Sequence, residues 1–175
     1  MRRIFGESEK VSRELNVPTI QLGEIDPQNQ LPSVVAEIKI PCTLLGIGYY
    51  FVVDQVDVKS YPGYAVYAFV RTNMRIGVSL STFEIVEFNV LGTMGFVCES
   101  AEQFLGILEF VATCLFETKS EWSDVIDDVM DGLLRVGFPR RTVREGYWLD
   151  IFSSIAIGDV DKLTGEFPKS SPSAE

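Results

Sequence analysis

The hydrophobic period of the chain changes once, near residue 100. Before this point apolar residues alternate with polar ones, as in β-strands, and after it they recur every three or four residues, as in amphipathic helices. The stretch FVCESAEQF, residues 96–104, contains the change, because an apolar strand end is followed by Ser100 and then by Gln103. Serine followed three positions later by glutamine is the sequence form of a capping box. We therefore predict that a strand ends and a helix begins here.

Two segments ahead of this junction are rich in β-branched and aromatic residues and are bounded by glycine or proline. They are residues 48–60 and 63–71, and both are predicted to be strands. The second is apolar on both faces, so we expect it to be central in its sheet. Residues 33–41 leave two alternatives open, because their apolar residues alternate as in a strand while Pro32 and Ser33 could equally open a short helix.

Two further strands are predicted between residues 74 and 90. Residues 74–80 alternate cleanly and are expected to form a half-exposed strand. Residues 83–90 also alternate, but the phase changes between Ile85 and Val86. A β-bulge near these two residues would return both halves of the strand to the same core face. Because the turns between the strands are short, we expect an antiparallel sheet.

Three helices are predicted after Ser100. The first carries an apolar stripe through residues 104–116, the second covers residues 121–137, and the third lies within residues 144–159. Strands that precede helices in this way indicate the α+β class, with the helices covering one face of a twisted antiparallel sheet in a single domain.

We divide the chain into three parts. Residues 1–33 are expected to hold a short helix and an irregular segment, residues 34–167 the α+β domain, and residues 168–175 a disordered tail of small polar residues and proline. The short helix is predicted at residues 7–15.

The composition excludes several classes of function. A net charge of −10 argues against binding to nucleic acid or to an anionic membrane, because both favour basic surfaces. The chain has no histidine, which removes the usual Ser–His and Cys–His nucleophile systems and every His-ligated metal site. No poised set of carboxylates or hydroxyls stands out. We therefore predict no catalytic, cofactor-binding or metal-binding residues, and a protein that is not an enzyme.

The cysteines indicate a reducing compartment. Cys42, Cys98 and Cys114 form no close pair and no set with metal-ligand spacing, and each lies among apolar neighbours. Buried thiols are the expected outcome. The N-terminus lacks the apolar core of a signal peptide, and the longest apolar helical run is too short to cross a bilayer. We expect a cytoplasmic protein that does not enter the membrane.

The most distinctive surface feature is an acidic stripe, whose carboxylates recur at spacings of three and four and would share one helix face. Like charges at these spacings repel, so a role in docking a basic partner would explain their presence. The alternative is an ordinary solvated helix face. The carboxylates of this face are Glu117, Glu121, Asp124, Asp128 and Asp131, and together with Asp127, which flanks the face, they are here called the acidic stripe.

A short basic run follows the acidic stripe. Arg140, Arg141 and Arg144 could bind a phosphate or a carboxylate from a ligand. We instead expect them to offset the C-terminus of the preceding helix and to pair with the acidic stripe. Aromatic residues of the strands could line a ligand groove, although sheet packing also accounts for them. These aromatic residues are Tyr49, Tyr61, Tyr64, Tyr67, Phe51 and Phe69.

Three stretches carry a resemblance to a known family. They are EIKIPCTLLGIGYYFVVD, FVCESAEQFLGILEF and REGYWLDIFSSIAIGD. They resemble three segments of the SUKH superfamily, in the same order. In the first segment a proline leads into an aromatic strand, and in the second a capping serine joins a strand to an apolar helix. In the third, a helix that contains a tryptophan ends before a glycine. The resemblance covers roughly residues 34–159. The glycine–tryptophan pair of that family is not visible near the first strands.

The resemblance implies an immunity protein, because bacterial members of the superfamily typically neutralise polymorphic or contact-delivered toxins. The protein would then function by covering a site on a cognate basic toxin. Many such toxins are nucleases with basic clefts. The acidic stripe is the surface expected to bind it, and opposite charge would raise the association rate. The alternatives are a small-ligand-binding or regulatory domain that uses the tyrosine-rich sheet face, and an oligomeric structural subunit.

Overall fold

The computed structural model describes residues 19–156, apart from residues 27, 42–50, 71–73, 90 and 118–121, and it describes some positions within helices and strands by their backbone alone. The helix predicted at residues 7–15 and the tail predicted at residues 168–175 lie outside the described residues.

The first described elements form a small two-stranded sheet. Its antiparallel strands are β1 (Thr19–Gln21) and β2 (Lys39–Pro41), and a 3-10 turn and the short helix α1 (Ser33–Ala36) lie between them. Residues 33–41 therefore adopt both of the alternatives that the sequence left open, first a helical turn and then a strand. Val35 and Ile40 are fully buried, which attaches this unit to the core.

Five antiparallel strands form the main sheet, and they lie side by side in sequence order. The expected antiparallel pairing is confirmed. The strand Tyr64–Val70, predicted to be central, is an interior strand with a neighbour on each side, so this prediction is confirmed. Its middle residues Ala65–Ala68 are buried, as its apolar character on both faces predicted. The strands are β3 (Phe51–Asp57), β4 (Tyr64–Val70), β5 (Met74–Ser79), β6 (Ile85–Phe88) and β7 (Met94–Cys98).

The remaining described elements are helices, so the α+β class is confirmed. They are α2 (Ala101–Glu117), α3 (Trp122–Arg135), α4 (Arg140–Arg144) and α5 (Tyr147–Ala156). Helix α3 ends before Gly137. The φ of Gly137 is 104°, a left-handed conformation that favours glycine, and it turns the chain into α4.

The helices and one face of the main sheet enclose the hydrophobic core. Ile76, Val78 and Ile85 of the sheet are fully buried against apolar helix residues. The largest of these is Trp148 of α5, whose ring lies 5.6 Å from that of Phe104 in α2. Aromatic pairs at such distances add to the stabilisation that burial alone provides.

The opposite face of the main sheet, here called the outer face, carries a second and smaller apolar cluster. Val66, Val86 and Phe88 are buried there, and Tyr61 and Tyr64 pack against them. The two tyrosine rings lie 4.8 Å and 5.2 Å from the ring of Phe88. This cluster explains why β5, predicted to be half-exposed, is buried in its second half.

The predicted β-bulge is present, but it has a different consequence from the one expected. The register between β6 and β7 shifts between Ile85 and Val86, because Ile85 lies opposite Cys98 while Val86 lies opposite Phe96. The extra residue is Val97 on β7, and β6 itself alternates regularly against β5. The two halves of β6 therefore do not return to one face. Ile85 faces the main core and Val86 belongs to the outer face.

Candidate functional site

Part of the acidic stripe lies on α3, which buries its opposite side in the core. Val129, Met130 and Leu133 are buried, whereas Asp127 and Asp131, one helical turn apart, are exposed. Asp128 is exposed beside them. These three exposed carboxylates of α3 are hereafter called the α3 carboxylates.

Arg144 of α4 lies between two of the α3 carboxylates. Its guanidinium donates a hydrogen bond to Asp131 at 2.5 Å and lies 3.6 Å from a carboxylate oxygen of Asp127. The arginine side chain is 26% exposed, against 82% for Asp127 and 52% for Asp131. The arginine is thus packed against the protein while the carboxylates keep most of their surface in water. A cation from a partner can still approach them.

The position of Arg144 follows from how α4 is held. Pro139 precedes the helix, and Thr142 and Val143 are buried on the side facing the core. This places Arg144 on the side facing α3. The expected pairing of the basic run with the acidic stripe is confirmed for Arg144. Arg141 instead stacks over the ring of Phe96, 3.9 Å from its centroid.

The prediction that the acidic stripe occupies one helix face is wrong. Glu117 is the last residue of α2, whereas α3 begins at Trp122, so the regular spacing runs across two helices. Spacing alone could not show this, because helical periodicity continues in the sequence across a break between helices. Glu121 lies outside the described residues, as do the side chains of Glu117 and Asp124.

The structure brings together only some of the aromatic residues that could line a ligand groove. Tyr61 and Tyr64 lie on the outer face over Phe88, and Arg75 of β5 donates a hydrogen bond to the Tyr61 hydroxyl. Tyr67 is fully buried in the main core and does not join them. Tyr49 and the side chains of Phe51 and Phe69 lie outside the described residues.

A half-buried carboxyl group that the sequence did not indicate lies beneath α5. Glu87 of β6 is directly opposite Gly95 of β7, and its Oε2 atom is buried without a hydrogen-bond partner. Desolvation by burial, together with the negative charge of Asp150, raises the pKa of Glu87 to about 7. A glutamate within an alternating strand gives no sequence signal of this kind, because the sequence does not show which helix will cover it.

The described residues contain no group of three or more acidic or cysteine side chains arranged to hold a metal ion. Within the same part of the chain, no helix combines the length and apolar character needed to cross a bilayer. No protein-family model, curated protein or solved structure matches the chain.

Proposed function

We propose that the protein acts by binding another protein, as an immunity protein of the SUKH type that covers the active site of a basic toxin. The observation that carries this proposal is the group of α3 carboxylates, Asp127, Asp128 and Asp131, exposed on a chain whose net charge is −10. A basic cleft evolved to hold a polyanionic substrate would attract such a surface. Complementary charge also accelerates the encounter of two proteins.

The contact with Arg144 supports this proposal. Because the arginine holds Asp127 and Asp131, ordering their side chains costs less when a partner binds. Each carboxylate has about four lone-pair sites, and a single arginine occupies only some of them. A lysine or arginine of the partner would therefore extend an existing network of ion pairs.

The remaining residues of the acidic stripe, Glu117, Glu121 and Asp124, are proposed to bind the toxin as well, Glu117 from the end of α2. The protein would act in the cytoplasm, without catalytic activity and without a cofactor. The toxin would be the molecule that it binds and inhibits.

The test begins with the tagged chain as bait in lysate of its source organism, at low and high salt, with mass spectrometry of what is retained. The Kd of a purified stoichiometric partner is then measured by calorimetry. Asp127→Lys with Asp128→Lys should weaken binding at least tenfold, since central charged pairs each contribute more than about 1 kcal/mol. The matched control is Glu102→Lys with Glu109→Lys on α2, which changes the net charge equally at two exposed positions.

Two results would contradict the proposal. An equal loss of affinity in the test and control variants would show that only the net charge matters. A partner that is bound but whose toxicity is unchanged on co-expression would show that binding serves another purpose. Circular dichroism of each variant checks that folding is preserved.

A second candidate function is binding of a small ligand on the outer face. It is favoured by Tyr61, Tyr64 and Phe88, which form an aromatic cluster beside the Arg75 guanidinium, 5.4 Å from the Tyr61 ring centroid. The rings can stack on a planar molecule, and the guanidinium can attract an anionic group that it carries. Nucleotides and common metabolites should be screened by thermal shift. A Tm that rises with ligand concentration, and does so less in Tyr64→Ala, would favour this function.

A further inference from the structure

Glu87 occupies a position where a carboxylate is unfavourable. It lies on the face of the sheet that packs against the helices, because its register partner on β5 is the fully buried Ile76. On the other side it lies against Gly95 of β7, where a Cβ atom would come within 2.6 Å of its Oε1. Glycine at this point makes room for the carboxyl group.

The Oε2 atom of Glu87 is buried and has no hydrogen-bond partner. An ionised carboxylate accepts hydrogen bonds at both oxygens, and a buried oxygen without a donor carries the full cost of lost hydration. A protonated carboxyl group carries no net charge, so the same position is far less costly for it. The geometry therefore favours the neutral acid.

The charged groups around Glu87 do not offset a negative charge. From α5 it faces Asp150, which repels it, and the first turn of that helix also carries the buried phenol of Tyr147. From β7 it meets Gly95 and from β5 it meets Ile76, both of which are uncharged. Arg75 lies next to Ile76 on β5, but its side chain is on the outer face, where it bonds to Tyr61.

The arginines of α4, which packs against β7, are engaged elsewhere or exposed. Arg144 pairs with α3, Arg141 stacks over Phe96, and Arg140 is exposed. No cation is thus held against the Glu87 carboxyl group by the elements described around it.

We propose that Glu87 and Asp150 form a pH-sensitive latch, in which the first turn of α5 lies closely on the sheet while Glu87 is protonated and loosens when it ionises. The change is a simple proton loss from the Glu87 carboxyl group to water. It places two negative charges between β6 and α5, and one of them has a buried oxygen, Oε2 of Glu87, without a hydrogen-bond donor. Because α5 also packs on α3 and α4, the latch would alter how firmly the helical layer is held.

The direction of the pH dependence follows from linkage. The carboxyl group binds its proton more tightly in the folded chain, with a pKa of about 7 against the ordinary 4.5, so its stabilising contribution is complete below pH 4.5 and is lost as pH rises through 7. The unfolding equilibrium constant should therefore rise by roughly 10- to 100-fold between pH 5 and pH 8 from this group alone.

Acrylamide quenching of Trp148 reports the latch directly, since this ring is buried next to Tyr147 at the start of α5. For this measurement the chain is made with Trp122→Phe, which leaves Trp148 as its only tryptophan. We expect the quenching constant to increase at least twofold from pH 5.5 to pH 8.5, with a midpoint near 7, and Glu87→Gln to abolish the increase. An increase of the same size in Glu87→Gln, or none in the parent protein, would overturn the proposal.

A second variant keeps the test decisive if Glu87→Gln does not fold. Asp150→Asn changes an exposed side chain and removes the repelling charge, so the midpoint should move to lower pH by a measurable fraction of a unit. An unchanged midpoint would overturn the role of Asp150. Hydrogen exchange of residues 147–152, expressed as protection relative to α2, gives the same readout without replacing Trp122. Protection that does not fall above pH 7 would likewise contradict the latch.

Discussion

The Thr142 hydroxyl of α4 donates a hydrogen bond to Oε1 of Gln103 in α2, at 3.1 Å. The same oxygen accepts the backbone N–H of Glu99 at 3.0 Å, while the Gln103 N–H donates to Ser100 Oγ at 3.2 Å. One side chain thus completes the start of α2 and joins it to α4, which follows about forty residues later. The predicted capping box is confirmed, except that the glutamine reaches the residue before the cap and not the cap itself.

The contact between Gln103 and Thr142 should contribute to stability as a pair. Thr142 is buried, so Gln103→Ala leaves its hydroxyl without an acceptor, and Thr142→Val leaves Gln103 with only its bond to Glu99. We expect a coupling energy of about 0.5–1.5 kcal/mol in a double-mutant cycle measured by urea denaturation. The Ser100→Ala variant, which removes the cap alone, should cost about 1 kcal/mol and leave this coupling unchanged. Strictly additive single variants would show that the two side chains act independently.

The sequence predicted the features that depend on local chemistry. The junction at Ser100, the helices α2, α3 and α5, the antiparallel strands and the position of the β-bulge near Ile85 all follow from periodicity and capping, whereas the short helix α4 was not predicted. Each of these signals is contained within a few neighbouring residues. Local consistency of this kind is what allows a sequence to specify a fold.

Features that depend on distant parts of the chain could not be predicted in this way. The extra residue of the bulge is Val97 on the partner strand, so the phase change in β6 did not show on which face Val86 would lie. The burial of Glu87 beneath α5 depends on Gly95 and on a helix sixty residues away. The separation of Glu117 from the α3 carboxylates depends on where one helix ends and the next begins.

Gly77 in the centre of the main sheet should not tolerate a side chain. A Cβ atom there would lie 2.9 Å from the carbonyl oxygen of Ala65 and 3.1 Å from Val66 Cα. Since both atoms belong to the backbone, relief requires strands to move, and Gly77→Ala should lower the free energy of unfolding by about 1–3 kcal/mol. Urea denaturation measures this directly. The added Cβ atom would also lie 3.1 Å from Cγ2 of Val66, but Val66→Ala in the same chain should give no rescue. Full recovery of stability would show that the contact with the Val66 side chain was the limiting one.

Cys98 and Cys114 should not react with thiol reagents in the native protein. Both are buried, and the Cys98 thiol donates a hydrogen bond to the carbonyl oxygen of Ser100 at 3.3 Å. Burial also raises the pKa of Cys98 well above that of an ordinary thiol, which lowers the fraction of reactive thiolate. Labelling with a chromogenic disulfide at pH 8 should therefore have the same fast amplitude in the parent chain and in Cys98→Ala with Cys114→Ala. Loss of fast amplitude in that variant would mean that the native thiols are accessible.

Arg144 should stabilise the protein chiefly through its charge, and the effect should depend on salt. Replacing it by glutamine removes its ion pairs with Asp127 and Asp131 and leaves these two carboxylates to repel each other across one helical turn. We expect Arg144→Gln to lower the free energy of unfolding by about 0.5–1 kcal/mol in 0.05 M NaCl, because the carboxylates are exposed and pairs of this kind contribute little more. In 0.5 M NaCl the difference should fall to less than half, since screening weakens both the lost attraction and the new repulsion.

Arg140→Gln, at an exposed position of the same helix, is the matched control and should change stability by less at both salt concentrations. A difference that persists unchanged in high salt would assign the stabilisation to packing of the arginine stem, which is consistent with its low exposure, and would remove the charge interaction as its cause.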